Sequence, residues 1–412
     1  MTQDHTSKPI HEGWLLAVLA AIQFTAVLDF MIIMPLGPQY MRVFAINPAQ
    51  FGLIVSAYAI SAGIAGIIAG FFVDRFDRKR ALMVLYGGFT LGTFFCAIAP
   101  TYWALVAARV VAGAFGGVTM GLVMAIIGDV IPEERRGRAM GIVMSSFSIS
   151  SICGVPAGIY LANKIDWHVP FYALTALCLL VQLMIGLVFP SLRGHIDRFR
   201  QESSWQRMTA ILKQRDHQLA LLFMAFLMCT GFVVFPFLAS YLVKNVGVSE
   251  AQLPWVYLCG GVSTLVSLNL IGRWADRVGK RRVFTIMTFS SMIPALLITN
   301  LPPVPLALAL LVSTIVMVAS SGRVVPAMAM LTSSIEPRHR GGFMSLNSSV
   351  QQLSSGLAAW VSGLIIGQAN GHITRFGWVG VISVSCGMAA IYLARFLKNT
   401  GAGTAVETLI EG

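Results

Sequence analysis

The chain has 412 residues, of which 56% are hydrophobic and only 11% charged, and its mean hydropathy is +0.76. Because a soluble domain carries about 25% charged residues, this composition excludes a soluble globular protein. The net charge of +12 is the excess expected where basic residues collect at one face of a membrane protein, so it gives no reason to expect a nucleic-acid partner.

Apolar runs of about 20 residues, the length that crosses a bilayer, occur twelve times. Prolines and charge clusters separate them. They predict spans one to twelve at residues 14–37, 51–73, 80–99, 102–128, 139–163, 168–190, 218–243, 253–273, 282–300, 304–332, 344–367 and 376–398. We therefore expect an all-α membrane protein with an N-terminal segment (1–13), a six-helix bundle (14–190), a linker (191–217), a second six-helix bundle (218–398) and a tail (399–412).

Basic residues give the orientation of the spans. Twenty Lys and Arg lie in the loops that follow even-numbered spans, whereas the opposite loops hold only four: Arg42, Lys164, Lys244 and Arg375. Since positive charge marks the cytoplasmic side, both termini and the linker are predicted to be cytoplasmic.

The remaining short segments carry weaker signals. In the linker, Trp205, Met208 and Leu212 recur at helical spacing among basic residues, which predicts an amphipathic helix on the inner membrane face. The polar tail is predicted to be disordered. The six cysteines all fall in apolar runs and lack metal-ligand spacing, so no metal site is predicted.

A short charged pattern follows the second span and returns after the eighth. Residues 70–80 read GFFVDRFDRKR, and residues 272–282 read GRWADRVGKRR. The alignment places Asp74 on Asp276 and Arg75 on Arg277. One pattern at the same place in two apolar halves indicates an internal duplication.

This pattern resembles motif A of the major facilitator superfamily, a family of twelve-span transporters. The second copy fits fully through Gly279, whereas the first has Asp77 at that position, so the tight-turn role of the glycine is in question there. The resemblance implies two bundles related by pseudo-twofold symmetry, a substrate site between them near the membrane midplane, and alternating access. It implies no enzyme activity and no cofactor, with a proton gradient as the energy source.

A second repeated loop supports the first. Asp129, Arg136 and Gly137 follow span four, and Glu336, Arg340 and Gly341 follow span ten. A carboxylate is favoured at a helix N-terminus, so Asp74 is expected at the start of span eleven and Asp276 at that of span five, closing the cytoplasmic side in the outward-facing state. The expected gate residues are Gly70, Asp74, Arg75, Arg78, Gly272, Asp276, Arg277, Gly279, Lys280, Asp129, Arg136, Glu336 and Arg340.

Asp29 is the only acidic residue well inside a predicted span, and a charge within a bilayer marks a functional site by default. Arg109 lies at similar depth, roughly 10 Å below the outer end of span four against roughly 12 Å below that of span one for Asp29. The spacing Arg109-x-x-x-Gly113 resembles motif B, whose arginine is implicated in proton transfer. We expect this pair to couple protons and to contact substrate; the alternative is a structural ion bridge between spans one and four.

Arg323 is a third intramembrane charge, near the middle of span ten. Pro326, one turn on, weakens the helix and frees a carbonyl. Arg323 is therefore either a ligand for an acidic group of the substrate or a residue that satisfies the backbone and helps a cytoplasmic gate.

The element Gly154-Val155-Pro156-Ala157-Gly158 resembles motif C, which is associated with facilitator antiporters, although Val155 separates the usual Gly–Pro pair. Glycine and proline permit close helix approach and a bend, so the element indicates either export or packing alone. Further candidates for the substrate site are polar, aromatic or methionine residues in the spans: Tyr58, Asn269, Asn347, Gln351, Phe30, Met34, Phe235 and Tyr241.

The run LDFMIIMPLGP at residues 28–38 resembles the arabinose-efflux-type branch of bacterial twelve-span drug:proton antiporters. The resemblance implies proton-coupled efflux of a small amphipathic or drug-like compound or metabolite across a bacterial inner membrane by a monomer. The alternative is proton-coupled transport of an organic anion bound by Arg109 and Arg323. A non-transporting receptor on the same scaffold is a further alternative.

Overall fold

The computed structural model describes residues 12–189, 212–335 and 340–397, and almost all of these are helical. The amphipathic helix predicted for the linker falls largely outside the described residues, as does the whole tail. The N-terminal half consists of α1 (Glu12–Ile32), α2 (Gly37–Val43), α3 (Pro48–Ala69), α4 (Arg78–Ala97), α5 (Tyr102–Val130), α6 (Glu133–Ile149), α7 (Val155–Lys164) and α8 (Val169–Val188).

The C-terminal half likewise has eight helices in six spans, but its fourth span is divided where the N-terminal half divides its fifth. It consists of α9 (Arg215–Phe232), α10 (Phe235–Tyr241), α11 (Leu253–Val278), α12 (Lys280–Thr299), α13 (Leu306–Gly322), α14 (Val324–Ser333), α15 (Arg340–Ile365) and α16 (Phe376–Ala394). A two-stranded antiparallel hairpin, β1 (Gly367–Ala369) and β2 (His372–Thr374), joins α15 to α16.

Each predicted span corresponds to one helix or to two helices in line. Eleven spans in the described chain are long and apolar enough to cross a membrane. The remaining one is α15, whose 26 residues include six serines and two glutamines. Its side chains Asn347, Ser355 and Ser362 are buried, because α15 packs against neighbouring helices. The predicted all-α membrane fold is confirmed.

Four spans are irregular beside a proline, and in span ten the break between α13 and α14 at Arg323 lies three residues before Pro326. Span one breaks between α1 and α2, where Pro38 enters the first turn of α2, and span seven breaks at the corresponding place before Pro236. Span five loosens into one π-helical turn at Ser150–Gly154, just before Pro156. Proline lacks an N–H group and clashes with the preceding turn, so these sequences cannot form straight helices.

The hydrophobic cores differ between the two ends of the molecule. We call the end at which α1 begins and α16 ends the inner end and the opposite one the outer end. At the outer end one core, the outer core, takes residues from both halves; within it Phe51 packs edge-on against Phe237 at 5.6 Å between ring centroids. At the inner end each half has its own core, and Ile67 alone reaches from the first half into the second. In the described chain the halves therefore share one apolar core at the outer end, whereas their cores are separate at the inner end.

The hairpin at the outer end was not predicted. Asn370 and Gly371 form its two-residue turn with φ of 51° and 81°, and Asn-Gly is the strongest short signal for such a turn. The side chain of Asn245 donates to the carbonyl of Ile373 and accepts from its N–H, both at 2.9 Å. These bonds hold the hairpin against the end of span seven.

Candidate functional site

Asp29 on α1 and Arg109 on α5 are in direct contact, and both side chains are completely buried. Nη1 of Arg109 donates to Oδ2 of Asp29 at 2.6 Å and to its backbone oxygen at 3.2 Å. The hydroxyl of Thr93 on α4 donates to the second carboxylate oxygen at 3.2 Å. Because buried charges need both a counter-charge and hydrogen bonds, this pair fixes α1, α4 and α5 together. Its role in proton coupling stays a prediction.

Tyr58 on α3 completes the surroundings of Arg109. The guanidinium carbon lies 4.3 Å from the centre of the Tyr58 ring, which is a cation–π geometry. Gly113, one turn beyond Arg109, lets α5 approach α3: a Cβ added there would lie 2.7 Å from Cα of Tyr58. The Arg-x-x-x-Gly spacing thus has a packing reason, since the glycine brings the ring to the arginine.

Three buried polar atoms at this site have no hydrogen-bond partner among the described residues. They are Nε and Nη2 of Arg109 and the hydroxyl of Tyr58. Leaving a buried donor unmatched costs about 1–3 kcal/mol. The site therefore suits a ligand whose polar atoms can form hydrogen bonds with these three groups, beside an ion pair that has no net charge.

Aromatic rings connect the ion pair to the second half. Phe30 follows Asp29, and its ring lies 5.4 Å from Tyr58 and 5.7 Å from Phe232 on α9. Phe30, Phe232 and the predicted site residue Phe235 are all half-buried. These rings offer apolar surface between the halves, next to the charged site.

The other predicted lining residues are not gathered at this site. Met34 is buried in the outer core, and so is Tyr241, whose hydroxyl donates to the carbonyl of Leu301 at 3.1 Å. Both residues therefore contribute to closure of the outer end in this arrangement, and their contact with substrate stays a prediction.

The predicted polar residues on α11 and α15 have different surroundings. Asn347 is 1% exposed, and its Oδ1 has no hydrogen-bond partner in the described chain. Gln351 is half-buried on the same helix. Asn269 is exposed and donates to the carbonyl of Leu265 on its own helix at 3.2 Å. None of the three contacts the ion pair through a hydrogen bond.

Arg323 lies in the second half, at the break between α13 and α14. It is 4% exposed, and its Nη1 donates to the hydroxyl of Ser291 on α12 at 2.9 Å. Its Nε is unpartnered, and no acidic residue in the described ranges forms an ion pair with it. This is a buried cation held by a neutral hydroxyl, unlike Arg109 in the first half.

The two motif A copies differ at their central position. Gly279 has φ of 104°, a conformation that favours glycine. Asp77 instead has φ of −55°, and its side chain accepts the N–H of Arg80 at 3.1 Å as the cap of α4. Nε of Arg78 donates to Oδ2 of Asp129 at 2.9 Å, which joins the start of α4 to the end of α5.

The remaining gate predictions are placed as follows. Asp276 is exposed and has no hydrogen bond to the described residues. Its contact with span five, which is expected for the outward-facing state, stays a prediction. The side chains of Asp74 and Arg340, and all of Glu336, lie outside the described part. Two of the basic residues bond to backbone: Arg136 donates to the carbonyl of Ile131, and Lys280 donates to that of Ala329. The glycines are helical positions, since Gly70 ends α3 and Gly272 lies within α11. Arg75 and Arg277 are exposed.

The motif C glycines pack α6 and α7 against α1. A Cβ added at Gly154 would lie 2.8 Å from the side chain of Leu28, and one at Gly158 would clash with Ile32. Pro156 lies in the first turn of α7, directly after the π-helical turn. The element therefore sets the contact between spans five and one, beside Asp29.

An ion pair at the outer end was missed from the sequence. Arg42 of the first half donates two hydrogen bonds to the carboxylate of Glu250 in the second, at 2.6 and 3.1 Å. The amide of Asn163 donates to the backbone oxygen of Glu250 at 2.7 Å and accepts from Gln39. We call these four residues the outer latch. Partners in different halves share no sequence spacing, so no local pattern could reveal them.

The fold and site define a class: a membrane protein of two six-span halves with a charged site in the first half, aromatic rings between the halves and closure at one end, as in secondary transporters. The profile of the Major Facilitator Superfamily matches residues 19–235 and 220–408. The chain belongs to this superfamily. It is accordingly a secondary transporter that works by alternating access, not an enzyme.

Relatives of similar length support this assignment. The uncharacterized MFS-type transporter YceJ of Bacillus subtilis (strain 168) is 24% identical over 390 residues, covering 92% of this chain and 95% of that protein. The inner membrane transport protein YdhP of Escherichia coli (strain K12) is 25% identical over 342 residues, covering 82% and 85%.

Solved structures show the same fold. A bacterial homologue of the human lysosomal transporter Spinster, inward-facing and unoccupied, matches with a TM-score of 0.76 at 17% identity, covering 95% of this chain and 98% of that one. A D-xylose–proton symporter matches with a TM-score of 0.75 at 16% identity, covering 95% and 99%. At this identity the likeness concerns the fold alone.

Proposed function

We propose that the protein exports a small amphipathic or drug-like compound or metabolite in exchange for protons. The observation that carries this proposal is the Asp29–Arg109 pair, since Asp29 is the only acidic side chain buried inside a span of the described chain. A proton carried through the membrane region needs a group that can bind and release it. In this proposal Asp29 is that group. The protein works as a monomer in a bacterial inner membrane, and the cycle requires no partner chain.

In this mechanism the proton and the substrate compete for one site. A proton on Asp29 removes the carboxylate charge and breaks the charge-assisted bond to Arg109. The guanidinium then carries an unpaired buried charge, which is costly and drives the halves toward the other arrangement. Release of the proton to the cytoplasm restores the pair and the polar face that receives the substrate.

The surroundings suit an amphipathic substrate. Half-buried rings of Phe30 and Phe232 provide apolar contact between the halves, while Asp29 and the free donors of Arg109 provide polar contact. The motif C packing of span five against span one supports export, because it links the helix that bears Asp29 to the one that borders the second half.

The first test is a thermal-shift screen of the purified protein with cationic, neutral and anionic compounds at two pH values, repeated with Asp29→Asn. A ligand that binds only the folded state raises the melting temperature. We expect lipophilic cations or neutral compounds to stabilise the wild type more at high pH, and Asp29→Asn to remain folded but to lose this pH dependence and proton-coupled transport. Full proton-coupled transport by Asp29→Asn would overturn the proposal.

Arg323 favours a second candidate, proton-coupled transport of an organic anion. A buried guanidinium with no acidic partner among the described residues is a receptor for a carboxylate or phosphate. In the same screen, stabilisation by anions alone, stronger at low pH and lost in Arg323→Ala, would select this function over export of cations or neutral compounds.

A further inference from the structure

The two halves touch at the inner end where α15 packs against α3. A Cβ added at Gly63 would lie 2.9 Å from the carbonyl oxygen of Ser349, and one added at Gly66 would lie 2.6 Å from the Ser349 hydroxyl. Small residues allow this close approach of helices in a membrane. We call this contact of the two halves the inner seam.

A cavity of about 30 Å³ lies in the inner seam, where α5 meets the other two helices. Its lining from the first half is small: Ala62 and Gly66 of α3 and Gly117 of α5. Its lining from α15 is polar: Ser345, Ser348, Ser349 and Gln352. A water molecule needs about 10–15 Å³ and two to four polar partners, so the cavity has the size and the polar groups for about two water molecules.

The polar groups that line the cavity are not matched by the protein. The hydroxyls of Ser345, Ser348 and Ser349 form no hydrogen bond with a described residue, although Ser349 is only 4% exposed. Further along α15, Ser355 does have a partner, since it donates to the carbonyl of Gln351 at 2.7 Å. An unmatched buried hydroxyl is costly, so Ser349 favours a hydrogen-bonding molecule in the cavity.

The outer limit of the cavity lies beside the hydroxyl of Tyr58. A Cβ added at Gly116 would lie 2.6 Å from that hydroxyl, and the next residue, Gly117, lines the cavity. On α3, Ala62 lies one helical turn, about 6 Å, inward from Tyr58. The Tyr58 hydroxyl, which has no partner among the described residues, is therefore placed to bond to water in the cavity.

The lining residues on α15 lead from a buried end to an exposed end. Ser349 is buried and Gln352 half-buried, whereas Ser345 and Ser348 are exposed. Ser345 lies five residues, about 8 Å, from the start of α15 at the inner end. Asp29, by contrast, is 0% exposed, so a proton on it needs a route to solvent.

We propose that water in this cavity carries the coupling proton from Asp29 to the cytoplasm. The Tyr58 ring packs against the guanidinium that binds Asp29. As the bond to Arg109 re-forms, the Asp29 carboxyl gives up its proton. The Tyr58 oxygen accepts this proton and the Tyr58 O–H passes its own to the water, so the tyrosine is left unchanged. Ser349 holds the water, which releases the proton at the exposed end. This exit path rests on the proposed proton-coupled export; hydration of the cavity does not depend on it.

The first test detects the water in lipid nanodiscs. Radiolysis turns ordered water into hydroxyl radicals that oxidise adjacent side chains, and mass spectrometry locates the oxidised residues. Tyr58 and Tyr86 are both 0% exposed, but the Tyr86 hydroxyl is already paired with that of Thr25 at 2.9 Å. We expect Tyr58 to be oxidised several-fold faster than Tyr86. Ser349→Val, which removes a hydroxyl and fills part of the cavity, should abolish this difference. Equal oxidation in the wild type, or an unchanged difference in Ser349→Val, would overturn the proposal.

The second test measures proton release and needs no substrate. After a jump from low to high pH, time-resolved infrared spectroscopy follows the protonated-carboxyl band that Asp29→Asn removes. Tyr58→Phe keeps the ring against Arg109 and loses only the hydroxyl. We expect it to slow the decay of this band on the order of a hundredfold, the lower end of what a positioned proton-transfer group contributes. Ser349→Ala should slow the decay as well.

The matched control is Tyr40→Phe. Tyr40 is also 0% exposed and its hydroxyl is also unpartnered among the described residues, but it lies in the outer core. The band should decay in this variant at the wild-type rate. Wild-type rates in both Tyr58→Phe and Ser349→Ala, or equal slowing in Tyr40→Phe, would refute the exit path and leave proton-coupled export standing. An Asp29 band that is absent at every pH would refute both.

Discussion

At the residue scale, Gly113 determines how closely α5 approaches α3 at the charged site. It has no side chain to hold α5 away from α3, so the Tyr58 ring reaches the guanidinium of Arg109. Gly121 lies two turns further along the same helix, and a Cβ there would meet nothing within 4 Å. Replacing each glycine with alanine therefore separates two effects on stability: the steric clash, which occurs only at Gly113, and the gain in helix propensity, which occurs at both positions.

We expect Gly113→Ala to lower the melting temperature, because overpacking costs about 1–3 kcal/mol and exceeds the gain in helix propensity. Gly121→Ala should leave stability unchanged or raise it by up to about 1 kcal/mol. Thermal unfolding in detergent measures both. Equal stability of the two variants would mean that α3 and α5 can move apart without loss.

Residues at the ion pair were predictable to different degrees. Asp29 and Arg109 could be paired from sequence because charges in apolar spans are few and depth follows from helical rise. Thr93 and Tyr58 could not be assigned to the pair, since hydroxyl and aromatic residues are common in spans and no spacing relates α3 and α4 to α1. Met34 and Tyr241 lie in the outer core in this arrangement, and a role for them in binding substrate stays a prediction.

At the scale of elements, the two copies of motif A begin the following helix in different ways. Asp77 stands where the second motif A copy has Gly279. Its carboxylate caps α4, while the glycine provides a turn with positive φ. Duplicated sequences therefore fold into equivalent helices with different local starts.

Replacing Asp77 with Ala should cost about 0.5–2 kcal/mol through loss of the cap, whereas Asp77→Asn should retain most of it. Hydrogen exchange in the first turn of α4 reports the effect directly. If Asp77→Ala and Asp77→Asn exchange at the same rate, the cap does not contribute to this helix start.

Helix positions were well predicted, but their irregularities and connections were not. Apolar length and Lys/Arg loops define a span, so all twelve were found near their observed bounds. The breaks in spans one and seven depend on how proline is accommodated by neighbouring helices. The sequence Asn370-Gly371 is a local signal for a hairpin turn, but the hairpin was not predicted from it.

At the scale of the whole molecule, the outer latch ties the halves in the observed arrangement. An ion pair exposed to solvent contributes about 0.2–1 kcal/mol, so Glu250→Gln should raise the outward-open population by up to about fivefold. Reaction of Ser240→Cys, a buried outer-core position, with an impermeant maleimide would report that population.

The matched control is Glu12→Gln, which removes a 2.7 Å ion pair to Arg135 within the first half. It should not change the reactivity of Ser240→Cys. The latch would have no role in the conformational equilibrium if Glu250→Gln and Glu12→Gln behaved alike.

The shared outer core also has a thermal consequence. Opening the outer end must part Phe51 from Phe237 and wet apolar surface that is buried in the closed arrangement. Exposure of apolar surface to water raises heat capacity, so the enthalpy of outward opening increases with temperature. The van't Hoff plot of this conformational equilibrium is therefore curved, and its curvature measures the apolar surface that becomes wet at the outer end minus the surface that becomes buried at the inner end.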